Sequence, residues 1–190
     1  TDTPGITMSP IDKIVWRTAD SSEIFYDVVD ESCLVGTLGH GFIQLMKNFE
    51  LERIMTSTQS LGLATAAYED AATYAAQRVQ FGQPIGHFQL IQEKLTDMAI
   101  KIENMRNFVY HSAWMVDNDC LDRKQASMCK RYCSMAAFEV ADDAVQIFGG
   151  IGVTEGARVS RLWRDIRGHR FGGGTDEIMV HIVGRQIVKE

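Results

Sequence analysis

The sequence predicts an all-α fold, a four-helix up-and-down bundle preceded by a few strands left from a β-barrel domain. Three observations lead there. After Gly39, apolar residues recur in steps of three and four along most of the chain. Breaks rich in Gly, Pro and Asp separate these stretches. Before Gly39 the chain instead carries short β-prone runs punctuated by Pro, Asp and Ser.

Composition sets the frame. The 190 residues are 45% hydrophobic and 23% charged, ordinary values for a globular chain with room for one good-sized domain, or one domain plus a piece of another. A net charge of −6 argues against nucleic acid as a partner. No stretch approaches the ~20 apolar residues of a membrane span, and no signal peptide is visible. The four cysteines, Cys33, Cys120, Cys129 and Cys133, include no CxxC pair. Cys129 and Cys133 lie one helical turn apart, which suits buried thiols in a reducing cytoplasm better than zinc or disulfides.

The first elements are strands. "IDKIVWRT" (11–18) and "SSEIFYDVVD" (21–30) are rich in Ile, Val, Trp and Tyr. Two or three strands cannot bury both faces of a sheet alone, and the chain opens on Thr1 rather than Met. Residues 1–38 therefore read as the tail of a β-domain, and residues 39–190 as the bundle.

Phe42, Leu45, Met46, Phe49, Ile54, Met55, Leu61 and Leu63 predict one long amphipathic helix from Gly39 to about Gln80, which "QFGQPIGH" interrupts. Phe88, Ile91, Leu95, Met98, Ile102, Met105 and Val109 predict a second helix, closed by "DNDCLDR". A third stripe runs through Ala126, Cys129, Cys133, Ala137, Val140, Ala144 and Ile147 to "FGGIG". After a turn and the charged "SRLWRDIRGHR", a last helix carries Ile178, Met179, Ile182, Val183 and Ile187. Four helices with short connections predict a bundle, with the methionines in its core.

The glycine triplet of "HRFGGGTDEIM" (169–179) opens that last helix. Two readings stay open from the residues alone. It is a phosphate cradle at a helix N-terminus, or a flexible turn with Thr175 or Asp176 as the N-cap. A carboxylate-bridged di-metal site needs Glu-x-x-His pairs, and Glu177 to His181 has the wrong spacing. No HExxH, Walker loop or Gly-x-Ser-x-Gly elbow occurs, so no metal site is expected. "FGGIGVTEG" follows a helix rather than a strand, the wrong context for a dinucleotide turn.

"RVQFGQPIGHFQLIQEKLTDMAIKI", "AVQIFGGIGVT", "RVSRLWRDIR" and "GGGTDEIM…GRQIV" stand in an order and spacing that resemble the acyl-CoA dehydrogenase family. Within it, the likeness is to the branch of crotonobetainyl-CoA reductases and neighbouring bacterial acyl-CoA dehydrogenases. The resemblance covers essentially the whole chain. It implies the last strands of the family's middle β-barrel followed by its C-terminal four-helix bundle. It also implies FAD as cofactor, an acyl-CoA substrate, an electron-transfer flavoprotein as partner, and a homotetramer or dimer of dimers.

The family's reaction takes a proton from Cα of an acyl-CoA thioester while a hydride leaves Cβ. In much of the family the base is a Glu in the final glycine loop, as Glu-Gly-Thr. Here that position is Gly173, followed by Gly174 and Thr175. The long-chain and isovaleryl branches place the base on the first bundle helix, directly before an arginine. This sequence reads "NFELERIM", so the resemblance implies Glu52 as the catalytic base, followed by Arg53. Two helical residues turn a side chain by about 200°, so Glu50 cannot share a face with Glu52. Glu50 and Arg53, one turn apart, pair with each other or contact the CoA part, and Phe49, Gly173 and Gly174 complete the expected substrate contacts. By the same resemblance Arg78 and Phe81 in the "QFG" turn, Phe88 and Gln89 contact FAD. Gln146, Gly149 and Gly150 meet its adenosine side, and Thr175 and Glu177 the second subunit's end of the site. The competing reading is a non-catalytic helical bundle used for oligomerisation or protein binding.

Overall fold

The computed structural model describes residues 3–189; Thr1, Asp2 and Glu190, at the outer ends of the two expected domains, lie outside the described residues. In chain order the elements are β1 (Ile6–Pro10), β2 (Ser22–Tyr26), α1 (Gly41–Gln77), β3 (Val79–Gln80), β4 (Gln83–Pro84), α2 (Gln89–Asp117), α3 (Arg123–Phe148), α4 (Arg158–His169) and α5 (Asp176–Ile187). The fold is the expected helical bundle behind a β-hairpin. All four expected helices form, and α4 is a fifth, running through the charged "SRLWRDIRGHR" segment. Its apolar residues Val159, Leu162 and Ile166 all face the core and are buried, at helical spacing between the arginines.

The hairpin differs from expectation. β1 lies at residues 6–10, not 11–18, and pairs antiparallel with β2 from Ile6↔Tyr26 to Pro10↔Ser22. Pro10 cannot donate to a ladder, so it stands at the strand's end. The expected first strand is instead a docking segment. Val15 is buried, Trp16 adopts φ +47°, and the Trp16 N–H donates to Asp165 Oδ1 on α4 at 2.6 Å. Its indole lies over Gly168, where a Cβ would come within 2.5 Å of the ring.

α2 and α3 bury the faces their patterns predict. Met98, Ile102, Met105 and Val109 are buried on α2, and all seven residues of the third stripe are buried on α3. The thiols of Cys129 and Cys133 are among them, whereas Cys33 and Cys120 are exposed. The N-cap Asp122 accepts from Gln125 N at 2.7 Å and fixes the start of α3.

On α1 the predicted stripe is corrected. Of its eight residues only Ile54 is buried, while Phe42 is 71% and Met55 56% exposed. The inward face is made of small residues: Ser57, Ser60, Ala64, Ala67, Ala71 and Ala75. Its four alanines share one core cluster with the equally small Cys129, Cys133, Ala136, Ala137, Ala141 and Ala144 of α3. Small side chains on both helices let the backbones approach closely, so burial here follows size as much as hydrophobicity. α5 buries only Asp176 and Met179; Ile178 and Ile187 of its expected stripe are exposed.

Candidate functional site

The glycine loop joins α4 to α5, and its backbone is unusual at two consecutive residues. Gly173 has φ +68° and Gly174 φ +113°, conformations that side chains rarely adopt. Thr175 caps α5, its side chain accepting from Ile178 N at 3.3 Å. The loop lies against α1 at residues 52–56. A Cβ built on Gly173 would sit 3.9 Å from Glu52 Oε1, 3.7 Å from Thr56 Oγ1 and 3.8 Å from Arg53 Cγ. The loop position and the helix carboxylate thus converge on one spot.

Glu52 is half-buried in a cleft of about 460 Å³ whose lining includes Trp16, Met55, Gln59, His169 and Gly172. His169 forms part of the cleft wall and is itself buried. Its Nδ1 lies 2.8 Å from Ser60 Oγ, and that hydroxyl donates to the Thr56 carbonyl at 2.8 Å. With the hydroxyl proton committed, His169 donates through Nδ1–H. Burial pushes its pKa down to about 4, with Lys130 adding to the fall and Asp165 opposing it. The imidazole beside Glu52 is therefore neutral near pH 7.

Arg53 does not form the expected pair with Glu50. Its side chain is buried, with Nε donating to Gly173 O at 3.3 Å and Nη1 to Ser127 Oγ at 3.4 Å. Burial, and then the nearby Arg123, lowers its pKa from the usual arginine value. Glu50 pairs instead with Arg123 Nε at 3.1 Å. The helical rotation between residues 50 and 52 explains this: Glu50 turns to the start of α3 while Glu52 faces the cleft. Phe49 lies half-buried in the same turn.

Beneath the loop stands a residue that sequence reasoning missed. Lys130 is fully buried, and its Nζ donates to Gly174 O at 2.5 Å and to Arg170 O at 3.1 Å. Asp176 Oδ1 is 3.6 Å away. Asp176 also receives Arg170 Nε at 2.6 Å and Ser134 Oγ at 3.3 Å, and its N–H donates to Arg170 O at 3.1 Å. Burial lowers the Lys130 pKa and Asp176 opposes the fall. The available signal was its place on the wheel of α3, four residues after Ala126 and four before Ser134, inside the buried stripe.

The residues expected to meet the cofactor fall into two distant groups. Arg78 caps the C-terminus of α1, and the Phe81–Gly82 turn joins β3 to β4. Phe81 has φ +51°, is 93% exposed, and meets Phe88 edge-to-face at 6.2 Å. Phe88 is the N-cap of α2 and Gln89 its first residue. Tyr74 stacks on Phe148 at 4.3 Å, which brings the end of α3, with Gln146, Gly149 and Gly150, to this same end of the bundle. Thr175 and Glu177 lie exposed at the glycine loop instead. From Glu52, beside the loop, to Arg78 is about 39 Å along α1 at 1.5 Å per residue.

The Arg78 guanidinium is exposed and makes no ion pair among the described residues. A Cβ at Gly149 or Gly150 would meet nothing within 4 Å, so backbone is open to close approach there. Among the described residues no helix is long and apolar enough to cross a membrane.

Comparison with known proteins agrees with this architecture. The family described as acyl-CoA dehydrogenase, C-terminal domain, matches residues 39–188. Over 189 residues, 98% of this chain, the sequence is 53% identical to the probable acyl-CoA dehydrogenase YdiO of Escherichia coli K12, and covers 49% of it. Butyryl-CoA dehydrogenase from Megasphaera elsdenii superposes with a TM-score of 0.92 at 38% identity, over 98% of this chain and 50% of that one. A chain in a structure described as the electron transferring flavoprotein of Acidaminococcus fermentans gives 0.94 at 33%, over 100% and 51%. The chain spans about half the length of the curated relatives it matches. With the family match covering most of its residues and a relative more than half identical, the chain belongs to the acyl-CoA dehydrogenase family.

Proposed function

We propose that residues 1–38 close the middle β-barrel, and residues 39–190 form the C-terminal bundle, of an FAD-dependent enzyme acting across the Cα–Cβ bond of an acyl-CoA thioester. The direction is dehydrogenation or the reverse enoyl-CoA reduction. The observation that carries this reading is the convergence of Glu52 with position 173. A Cβ on Gly173 would lie 3.9 Å from Glu52 Oε1, which supports a carboxylate on the loop and one on the helix reaching the same volume.

In this reading Glu52 takes the proton from Cα. Trp16 and Met55 stand among the walls of the cleft that holds the carboxylate. As the proton leaves, negative charge gathers on the thioester oxygen, and the Gly173 N–H, which has no partner among the described residues, is available to meet it. Arg53 fixes the loop from below through Gly173 O. Phe49, Glu50 and Gly174 border the substrate path. Bound FAD supplies the acceptor for the Cβ hydride, or its donor in reduction.

Arg78, Phe81, Phe88, Gln89, Gln146, Gly149 and Gly150 would hold that FAD at one end of the bundle, and Thr175 and Glu177 at the other. Because the two groups lie so far apart, one flavin draws them from two copies of the chain. This supports a homo-oligomer, here a dimer of dimers. We assign an electron-transfer flavoprotein as redox partner and the cytoplasm as compartment, the latter suited to its unpaired thiols.

Glu52→Gln in the complete protein tests the reading, since the amide keeps shape and loses basicity. Turnover is expected to fall about 10²–10⁴-fold, with FAD and acyl-CoA still bound. A normal rate would overturn the assignment and move the base to another carboxylate.

A further inference from the structure

The carbonyls of the glycine loop are drawn inward by two buried cations, Arg53 on Gly173 O and Lys130 on Gly174 O. Lys130 also holds Arg170 O, so one ammonium group brackets both ends of the loop. Asp176, itself clamped by Arg170 and Ser134, is its counterion. A fully buried lysine is costly to keep without a task, and this one spends its donors on main-chain oxygens of the segment that faces Glu52.

We propose that Lys130 is a positioning residue for the thioester chemistry, acting through the peptide between Gly174 and Thr175. This inference rests on the acyl-CoA reading of the site. A trans peptide places its N–H opposite its C=O, so a carbonyl held inward turns the Thr175 N–H outward. Among the described residues that N–H has no acceptor, and neither has the Gly173 N–H. With Gly174 at φ +113°, the peptide between Gly174 and Thr175 would otherwise be free to rotate. Lys130 fixes the plane and also polarises it. A cation on the carbonyl oxygen draws electron density from the amide and makes its N–H a stronger donor. The Thr175 N–H thereby becomes a fixed donor for the oxygen that gains charge when Cα loses its proton.

The test uses the complete protein carrying Lys130→Met, which keeps the apolar stem and removes the donor. Removing one donor to a developing oxyanion costs about 10²–10³-fold, so the indirect loss here is expected at about 10–100-fold in kcat, with KM for the acyl-CoA little changed. The decisive readout is the vibrational frequency of the thioester carbonyl in bound crotonyl-CoA, isotope-labelled at that carbon. Wild type is expected to lower this frequency relative to solution, and Lys130→Met to lose most of the shift. If Lys130→Met does not fold, Asp176→Asn serves: it removes the counterion and is expected to give a smaller loss of the same shift. A wild-type kcat, or a lowered kcat with the shift unchanged, would overturn the proposal. The spectrum needs only binding, so it separates this inference from the dehydrogenase reading, which fails instead if wild type turns over no acyl-CoA.

Discussion

At the glycine-loop end of α1, Arg53, Lys130, Asp176 and His169 are buried, and each is bonded to the protein. At the hairpin end, Arg78, Gln89 and Gln146 stand in solvent, and Phe81 projects from a turn with almost its whole surface exposed. The first end has already met the desolvation cost of its charges and gains fixed geometry in return. The second leaves its groups hydrated. A site that must steer a proton needs the former, because reorganisation at the moment of reaction raises the barrier. A site that only holds a charged cofactor tolerates the latter. Substitutions at the loop end should therefore change rate and fold stability, and those at the hairpin end retention of the ligand.

The sharpest way to break that contrast is to return the base to the loop. Combining Glu52→Gln with Gly173→Glu should recover at least tenfold of the 10²–10⁴-fold loss caused by Glu52→Gln alone. The recovery stays partial because a side chain at φ +68° is strained by about 1 kcal/mol. Steady-state turnover of the two variants decides it, and no recovery would mean that the two positions do not serve one Cα.

Acid should weaken the loop end next. The unfolded His169 titrates near 6.5 and the folded one near 4. Between those values the unfolded chain binds a proton that the folded one refuses, so stability is full above 6.5 and falls as pH drops toward 4. The loss reaches about 3 kcal/mol. Urea titrations at pH 7 and pH 4 measure it, and His169→Gln should flatten that part of the difference while other carboxylates still contribute theirs.

At the hairpin end, Arg78→Ala should leave the chemical step intact and weaken FAD retention, by about 1.5–3 kcal/mol for a charged hydrogen bond. Flavin content after extended dialysis reports it, and unchanged content would remove Arg78 from the site. The smallest effect belongs to Glu50→Gln. Its pair with Arg123 is partly exposed, so the change should cost less than about 1 kcal/mol of stability and leave kcat unaltered.

How far the sequence exposes this arrangement depends on which physical quantity does the burying. α2 and α3 are legible because Met98, Ile102, Met105 and Val140 repeat at helical spacing and are buried where the period puts them. α1 misleads because Ala64, Ala67, Ala71 and Ala75 carry little hydrophobic signal, while the conspicuous Phe42, Leu45 and Met55 face outward. α4 hides behind its arginines, and Trp16 looks like a strand residue although it plugs the bundle against Gly168. At the site, Glu52 and Gly173 can be singled out from motifs, but their proximity is a tertiary fact. Lys130 and His169 stand in no motif, and Asp176 reads only as a candidate N-cap, because composition does not reveal when a charge has a buried partner.

The meeting of Glu52 with position 173 has a consequence for how such a site changes over generations. A carboxylate can pass from loop to helix without a step that abolishes activity, provided an ancestor carried both. With a Cβ at position 173 only 3.9 Å from Glu52 Oε1, carboxylates at both positions would stand close enough to share a proton, since a like charge raises one partner's pKa strongly. The ancestor's site would then hold a single net negative charge, the same as either descendant. Loss of the loop residue to glycine afterwards changes neither the charge nor the fold, because that backbone already sits where glycine is at ease. In the proposed reading, one small volume with two backbone addresses makes the general base a movable part, and the scaffold around it a track along which it can be relocated.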